Sequence, residues 1–305
     1  MALSKLSGDE KLIICYELCN PLLPVTAISF FILNKELWVL THELRRQLKT
    51  DNEAAAAFAR KLGLRGRKLG YSDQYACSLL RTQHSITICS ERPFNVVCND
   101  TEMELLGKLG SFLPELKFLS VRQDAQFLHF AKSLCAGALP KLTTLSISKT
   151  FIGKDGAVAL AAAMCRGAMP RLWSISLISA GINDAGLQAL VPALRKRTKL
   201  GEINLRGNTF GDNGLAALLS LFPFEGVWPR PYPSEGLERK MHMLEFVDIS
   251  DNNVNITHRL VLARTTKHPL LVDGERFQTH VIVALMEAIQ HGWQCAGPQG
   301  PVGTL

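Results

Sequence analysis

The residues best suited to chemistry in this sequence are its 8 cysteines and 8 histidines, and their spacing limits what they could do. Cys15 and Cys19 lie four residues apart, on one face of a predicted helix, but leucines and isoleucines surround them and favour buried packing over metal binding. The chain contains no Cys-x-x-Cys pair, no Gly-x-x-x-x-Gly-Lys, no Gly-x-Ser-x-Gly and no His-Glu-x-x-His. The sequence therefore predicts a protein that is not an enzyme, with no catalytic residue, metal site or cofactor.

The cysteines also bear on location, because they form no regular framework of the kind that disulfide-rich secreted domains carry. The start of the chain lacks a secretory signal pattern. The apolar stretch at 12–33 is interrupted by Glu17, Pro21 and Pro24, so it predicts two buried helices and no membrane span. We expect a soluble cytoplasmic protein, with the nucleus as the alternative location.

The second half of the chain repeats the pattern Leu-x-x-Leu-x-Leu with aliphatic substitutions. The five copies begin at Leu116, Leu142, Leu172, Leu200 and Leu244, at spacings of 26, 30, 28 and 44 residues. The second half of each unit also keeps its phase, since three copies share a glycine at one offset, namely Gly156, Gly186 and Gly214. Several independent positions agree, so the pattern indicates a repeat protein.

Each unit predicts one strand followed by one helix. The Leu-x-Leu core alternates as a strand does, and the residues that follow have helical apolar spacing, with Asp184 and Asp212 at the expected helix N-caps. Such a unit cannot bury its apolar face alone, so neighbours must stack. The predicted fold class is an α/β solenoid with parallel strands on the concave face, helices on the convex face and a helical N-terminal region.

These repeats resemble the ribonuclease-inhibitor subtype of leucine-rich repeats, and the whole arrangement is similar to leucine-rich-repeat families that are expanded in marine algae. The resemblance implies a binding scaffold and leaves the partner open. We expect four segments. They are a helical N-terminal region at 1–70, a linker or divergent first repeat at 71–113, repeats at 114–265 with a loop insertion at 220–243, and a capping helix with a flexible tail at 266–305.

The N-terminal region predicts helices at 9–18, 26–49 and 52–62. Its pattern of Leu12, Leu18, Leu22, Leu37 and Trp38 resembles a degenerate F-box. That resemblance implies docking onto the adaptor of a ubiquitin ligase, with the repeats recruiting the substrate. A plain helical cap over the end of the solenoid is the interpretation we favour.

A basic segment follows, and it holds nearly all of the chain's net charge of +7. Asp51 and Glu53 are its acidic members, and its basic members are Arg45, Arg46, Lys49, Arg60, Lys61, Arg65, Arg67 and Lys68. A solvated helix surface is the simplest interpretation. The functional one is a site for an acidic partner that uses Arg45, Arg46, Lys49, Arg65, Arg67 and Lys68, whereas sparse aromatic interleaving makes a nucleic-acid partner the less favoured choice.

Strand alternation predicts where a protein partner would bind, because residues between the inward aliphatic positions must point to the concave face. The predicted contact residues are Phe118, Arg122, Ser146, Ser176, Glu202, Asn204, Arg206, Phe246 and Asp248, with Trp228 and Tyr232 added by the insertion. We predict one continuous patch of Arg206, Phe246, Asp248 and Trp228 at the C-terminal end. A second alternative is a small-GTPase activator that acts through Arg206 or Arg122.

Overall fold

The computed structural model describes residues 6–64, 72–89, 96–122, 127–219, 246–254, 270–272 and 275–277. The helices are α1 (Gly8–Leu18), α2 (Pro24–Ile32), α3 (Lys35–Leu40), α4 (His42–Lys61), α5 (Asp73–Arg81), α6 (Asp100–Leu109), α7 (Phe127–Ser133), α8 (Gly153–Cys165), α9 (Asp184–Arg195) and α10 (Asp212–Leu219). The strands are β1 (Ser85–Cys89), β2 (Phe118–Arg122), β3 (Thr144–Ser148), β4 (Ser174–Ile178), β5 (Glu202–Asn204), β6 (Phe246–Asp248), β7 (Leu270–Val272) and β8 (Glu275–Phe277).

The strands form one sheet in which spatial order equals sequence order, from β1 to β8. Each strand from β1 to β6 pairs in parallel with the next, and a helix lies between successive strands from β1 to β5. The register does not slip, so that Leu119 lies beside Leu145, Leu145 beside Ile175 and Ile175 beside Ile203. This is the solenoid that the repeat pattern predicts.

The sheet extends beyond the five repeats at both ends. Strand β1, which contains Ile86 and Ile88, pairs residue for residue with β2, and α6 follows it, so 71–113 contains a strand and helix in phase with the repeats. At the other end, β7 continues the parallel sheet past residue 265. The segment at 266–305, for which we expect a capping helix and a tail, contains the strand β8, in which Arg276 pairs antiparallel with Leu271, and residues 278–305 lie outside the described residues.

The repeat core consists of the residues that the pattern assigns to it. The inward positions of the strands, such as Leu119, Leu145 and Leu177, are almost fully buried. The helices cover them with Leu160, Leu190 and other apolar side chains, and one continuous cluster of buried residues runs from β1 to β6. Every repeat thus buries its apolar face against both neighbours.

Asn208 ties the turns of two successive repeats together. Its buried side-chain oxygen accepts hydrogen bonds from the backbone of Ala180 (3.0 Å) and Ile182 (3.1 Å), and its amide donates to the carbonyl groups of Leu177 and Leu205, both at 2.7 Å. Asn252, one repeat later, donates to Leu205 in the same way at 2.9 Å. These amides satisfy backbone groups that leave the strands and have no ladder partner.

Asp184 differs from its predicted role as the N-cap of its own helix. Asn183 caps α9, and its side chain accepts from the backbone of Gly186 at 3.0 Å. The carboxylate of Asp184 reaches the next repeat, where it accepts from the backbone of Gly211 (2.7 Å) and Gly214 (2.9 Å) at the start of α10. A Cβ atom on Gly214 would stand 2.7 Å from this carboxylate, so the glycine permits the contact.

The N-terminal helices also differ from the prediction. The expected helix at 26–49 is split, because the side chain of Asn34 caps α3 by accepting from Glu36 at 2.8 Å and the hydroxyl of Thr41 bonds back to Leu37. The expected break near Asn52 does not occur. Asn52 lies inside α4, where its amide donates to the carbonyl of Pro21 and does not cap a new helix.

Helix α4 belongs to two hydrophobic cores. Its first half contributes Leu44 and Leu48 to a small cluster with α1, α2 and α3, whereas its second half contributes Phe58 and neighbouring alanines to the repeat core. The ion pair between Lys61 and Glu102 of α6, at 2.6 Å, adds a polar contact to the first repeat. The N-terminal helices are therefore attached to the solenoid through a shared helix.

We predict that Leu177→Asp destabilises the whole array. Leu177 is buried between repeats, and an unpaired carboxylate there costs about 4 kcal/mol or more. Ser176→Asp is the matched control, because the neighbouring side chain points to the half-exposed side of the same strand. Thermal melting followed by circular dichroism measures both; an unchanged melting curve for Leu177→Asp contradicts the core assignment.

We predict that Asn208→Ala lowers the free energy of unfolding by about 3 kcal/mol, because it leaves several buried backbone groups without a partner. Asn253→Ala is the control. Asn253 is exposed and donates one hydrogen bond of 3.3 Å to Thr209, so we expect a loss below about 0.5 kcal/mol. Urea denaturation of both variants compares the two losses, and equal losses contradict the bridging role of Asn208.

Candidate functional site

The outward face of the sheet is the candidate interaction surface. Residues between the buried positions of each strand are half-buried or exposed, as alternation predicts. Ser120, Ser146, Ser176 and Asn204 lie side by side across β2 to β5, because the register pairs each with the next. Adjacent strands are about 4.8 Å apart, so these small polar side chains form a continuous row.

Larger side chains border this row at its N-terminal end. Phe118 on β2 is 49% exposed, and Arg122 at the other end of the same strand is exposed as well. Both lie beside small residues, since Phe118 pairs with Thr144 and Arg122 pairs with Ser148. An apolar ring and a guanidinium group are thus presented above a shallow hydroxyl-rich floor.

The C-terminal end of the face carries charge. Glu202 on β5 is half-buried, and Arg206 donates from Nε to the carboxylate of Asp251 in the next repeat at 2.7 Å. Both members of this ion pair remain more than half exposed, so water screens it. Asn204 accepts from the backbone of Arg206 at 3.1 Å and so also shapes the turn.

Asp248 is a correction to the predicted patch. Its side chain is buried, and its carboxylate oxygen accepts from the backbone (2.9 Å) and hydroxyl (2.7 Å) of Ser250. A short carboxylate that bonds the backbone two residues on closes an Asx turn. Asp248 therefore stabilises the end of β6 and is not an open contact residue.

The remaining members of that patch are not brought together by the described residues. Phe246 lies on β6 beside Glu202, but only its backbone is described. Trp228 and Tyr232 lie outside the described residues, as does the rest of the predicted insertion. The face that the structure describes is thus the part from Phe118 to Arg206.

The basic segment is largely occupied by local partners. The guanidinium of Arg45 stacks 3.3 Å from the ring centroid of Trp38 and donates to its carbonyl at 2.7 Å. Arg46 pairs with Glu43 and Lys49 approaches Glu53 at 3.9 Å, both on the surface of α4. Arg65, Arg67 and Lys68 lie outside the described residues.

The residues behind the F-box resemblance take different positions. Leu22 and Leu37 are buried, Leu12 and Leu18 are half-buried, and Trp38 lies under Arg45 with 40% of its area exposed. These positions are compatible both with an F-box and with a plain helical cap over the solenoid.

In 6–64 and the other described parts, no cluster of three or more His, Cys, Asp or Glu side chains could hold a metal ion. A groove of about 240 Å³ lies between α1, α4 and α6, where Tyr16, Leu44 and Leu105 line it. Of the helices that the structure describes, none is long and apolar enough to traverse a bilayer.

Burial governs the thiols that the sequence singled out. It raises the pKa of Cys19, Cys77 and Cys98 to about 11 in each case, with a smaller contribution from nearby carboxylates. A thiol with so high a pKa is protonated at neutral pH and is a poor nucleophile. The packing role predicted for Cys15 agrees with its complete burial beside Phe31 and Leu37.

Two arginines that the repeat pattern does not mark link the ends of successive helices. Arg197 donates to the carbonyl of Ala168 at 2.6 Å, and Arg166 donates to Leu134 at 2.9 Å, so each reaches back one repeat. Burial lowers the pKa of Arg197. The signal that could have shown them is a basic residue just past successive helices, where carbonyl groups lack partners.

Comparison with known proteins supports the repeat assignment. A family model described as Leucine Rich repeat matches residues 138–161 and 197–219. No curated protein matches the chain. Among solved structures, an internalin from Listeria monocytogenes is 12% identical and covers 76% of this chain and 78% of its own, with a TM-score of 0.28.

At that TM-score the internalin likeness bears on neither fold nor function, so the fold rests on the repeats and the sheet. The first matched segment contains β3 and the first part of α8, and the second contains β5 with α10, so each covers a strand and helical residues of one repeat unit. Repeats of this kind stack in register over β1 to β7 with helices on the other side. The chain therefore contains leucine-rich repeats, and they form an α/β solenoid.

Proposed function

We propose that this protein is a non-catalytic scaffold that binds a protein partner on the concave sheet face. Leucine-rich-repeat proteins generally act in protein–protein interaction. The observation that carries the proposal here is the row of Ser120, Ser146, Ser176 and Asn204, which is accessible and uncharged. Small side chains let a partner's backbone or helix approach the sheet closely.

The borders of the row indicate what kind of partner fits. Phe118 offers an apolar anchor, Arg122 favours an acidic group beside it, and Glu202 favours a basic group toward the other end. Aromatic and arginine side chains give more binding energy per residue than serine does. We therefore propose a partner segment with an apolar and acidic end, a polar middle and a basic end.

We further propose that the repeats are of the ribonuclease-inhibitor-like subtype, since α8 and α9 are true helices of 13 and 12 residues between consecutive strands. A cytoplasmic location, with the nucleus as the alternative, is also a proposal. The cysteines from Cys15 to Cys165 being free thiols supports it, because a reducing compartment preserves them.

Two alternatives stay predictions. A ligase adaptor would bind the N-terminal helices, and Trp38→Ala in the full chain should then abolish its capture. A small-GTPase activator would need an arginine at the partner's phosphates. Arg122 is the better placed candidate, because Arg206 holds an ion pair with Asp251. Nucleic acid is not favoured, since the described basic side chains of α4 have local partners.

The scaffold proposal is tested by placing long side chains on the row of small residues in the sheet face. We expect Ser146→Arg/Ser176→Arg to abolish capture of the partners that the wild-type chain recovers in an affinity pull-down or proximity labelling, because two long side chains block close approach. The matched control is Val158→Arg/Ala162→Arg, which adds the same side chains to exposed positions on α8. Equal recovery by both folded variants contradicts the proposal.

A further inference from the structure

The three N-terminal helices expose an unusual amount of apolar surface. Among the described residues, nine of the fifteen large exposed hydrophobic side chains fall between residues 13 and 40. We call this set the N-terminal apolar surface, and its members are Ile13, Tyr16, Val25, Ile28, Ile32, Leu33, Trp38, Val39 and Leu40. The other six are scattered singly from Tyr75 to Trp173, which is ordinary for a protein surface.

Helix α1 is oriented against the usual preference of its side chains. Lys11 is buried, with its ammonium group 2.7 Å from the carboxylate of Glu36, whereas Ile13 is 62% exposed and Tyr16 is also exposed. Burying a lysine while exposing an isoleucine is unfavourable in water. The arrangement is favourable if the outward side of α1 is covered by something apolar.

Helix α2 is apolar on both sides. Ala27 and Phe31 face the small core, and Val25, Ile28 and Ile32 form an exposed stripe at helical spacing. A helix that is hydrophobic all round is typically buried on all sides. The exposed stripe of α2, like the exposed side of α1, would therefore be stabilised by contact with another apolar surface.

The charges of this region argue for a neutral cover. Residues 18–34 contain no charged side chain, and residues 6–64 contain seven acidic and seven basic residues, so the region has no net charge. An acidic protein or an anionic membrane would gain little from such a surface. A second copy of the chain brings the same uncharged surface and meets no like charge across the contact.

The exposed apolar area is of the order that a dimer interface needs. The nine exposed fractions add up to about five fully exposed side chains, which is roughly several hundred Å² of apolar surface on three neighbouring helices. A standard interface buries about 800 Å² on each partner. Twofold homodimers, in which one patch meets itself, are the commonest oligomers.

We propose that the chain forms a homodimer through the N-terminal apolar surface. The N-terminal apolar surface and the hydroxyl-rich face of β2 to β5 share no residue, so each copy in the dimer keeps its own scaffold face. A partner with two copies of the binding segment would then be held by both faces, which raises its apparent affinity without a new contact.

Analytical ultracentrifugation of the full chain over a concentration series tests this. The wild-type chain should sediment as a dimer at micromolar concentrations. Ile32→Asp/Leu33→Asp should raise the dissociation constant of the dimer at least about tenfold, because two charges would be desolvated in the contact. Phe151→Asp is the matched control, since Phe151 is 82% exposed on the repeats and should leave the dimer unchanged.

Circular dichroism melting of each variant establishes that it is folded, and both sites are exposed enough to tolerate the change. Hydrogen exchange supplies an independent reading. In the wild-type chain, amides of residues 24–40 should gain protection as concentration rises, whereas those of α8 should not. A wild-type chain that stays monomeric at about 100 μM overturns the proposal, and so does a monomer that co-sediments with neutral or anionic phospholipid vesicles.

Discussion

The parallel, unslipped pairing of neighbouring strands is the constraint on which the rest of the molecule depends. Because every strand from β1 to β5 pairs with its neighbour without offset, each inward aliphatic position lies beside the same position of the next repeat. A shift by one residue would turn all of these side chains to the other face. The same alignment that joins the core also places Ser120, Ser146 and Ser176 in one row, so core and binding face have a single origin.

Polar side chains stabilise the alignment of the repeats both where the strands end and on the helical side of the solenoid. Where the strands end, Asn208 bonds backbone groups of its own repeat and of the preceding one. On the helical side, Arg197 and Arg166 donate to carbonyl groups one repeat back, and Asp184 accepts from the start of the following helix. Asn208, Arg197 and Asp184 are buried or half-buried, and the loss of their bonds would leave partners unsatisfied. These bonds therefore fix the spacing of the repeats more sharply than apolar contact alone does.

Most of the fold could be predicted from the sequence, because repeating units that pack in the same way require apolar residues at the same position of each unit. The strand positions, the buried helix faces and the shared glycines follow from the repeat, and the direction of Phe118, Ser146 and Ser176 follows from alternation. Contacts between repeats could not be read in this way. Asp184 precedes a helix as an N-cap does, but its partner lies 27 residues further along the chain, and local propensity carries no information about that distance.

Two further misreadings have the same cause. Asp248 occupies a position that alternation assigns to the open face, yet its short carboxylate bonds Ser250 and is buried, because an Asx turn competes with exposure. Asn52 is a residue type that often begins a helix, but its amide donates to the carbonyl of Pro21 in the turn between α1 and α2, and α4 continues through it. In both cases the side chain makes a hydrogen bond that strand alternation or helix-capping preference alone does not predict.

The continuity of α4 has a consequence for how the two surfaces relate. Its first half packs into the small N-terminal core and its second half into the repeat core, so neither core can be rearranged without moving the same helix. The two surfaces nevertheless have opposite character, since the row at the centre of the sheet face is polar whereas the exposed side chains of α1 and α2 include many apolar ones. A polar face can remain in water between binding events, while an apolar one of this size is stable in water only when covered. The sheet face is therefore suited to a partner that comes and goes, and the helical surface to a contact that persists, with α4 as the rigid connection between them.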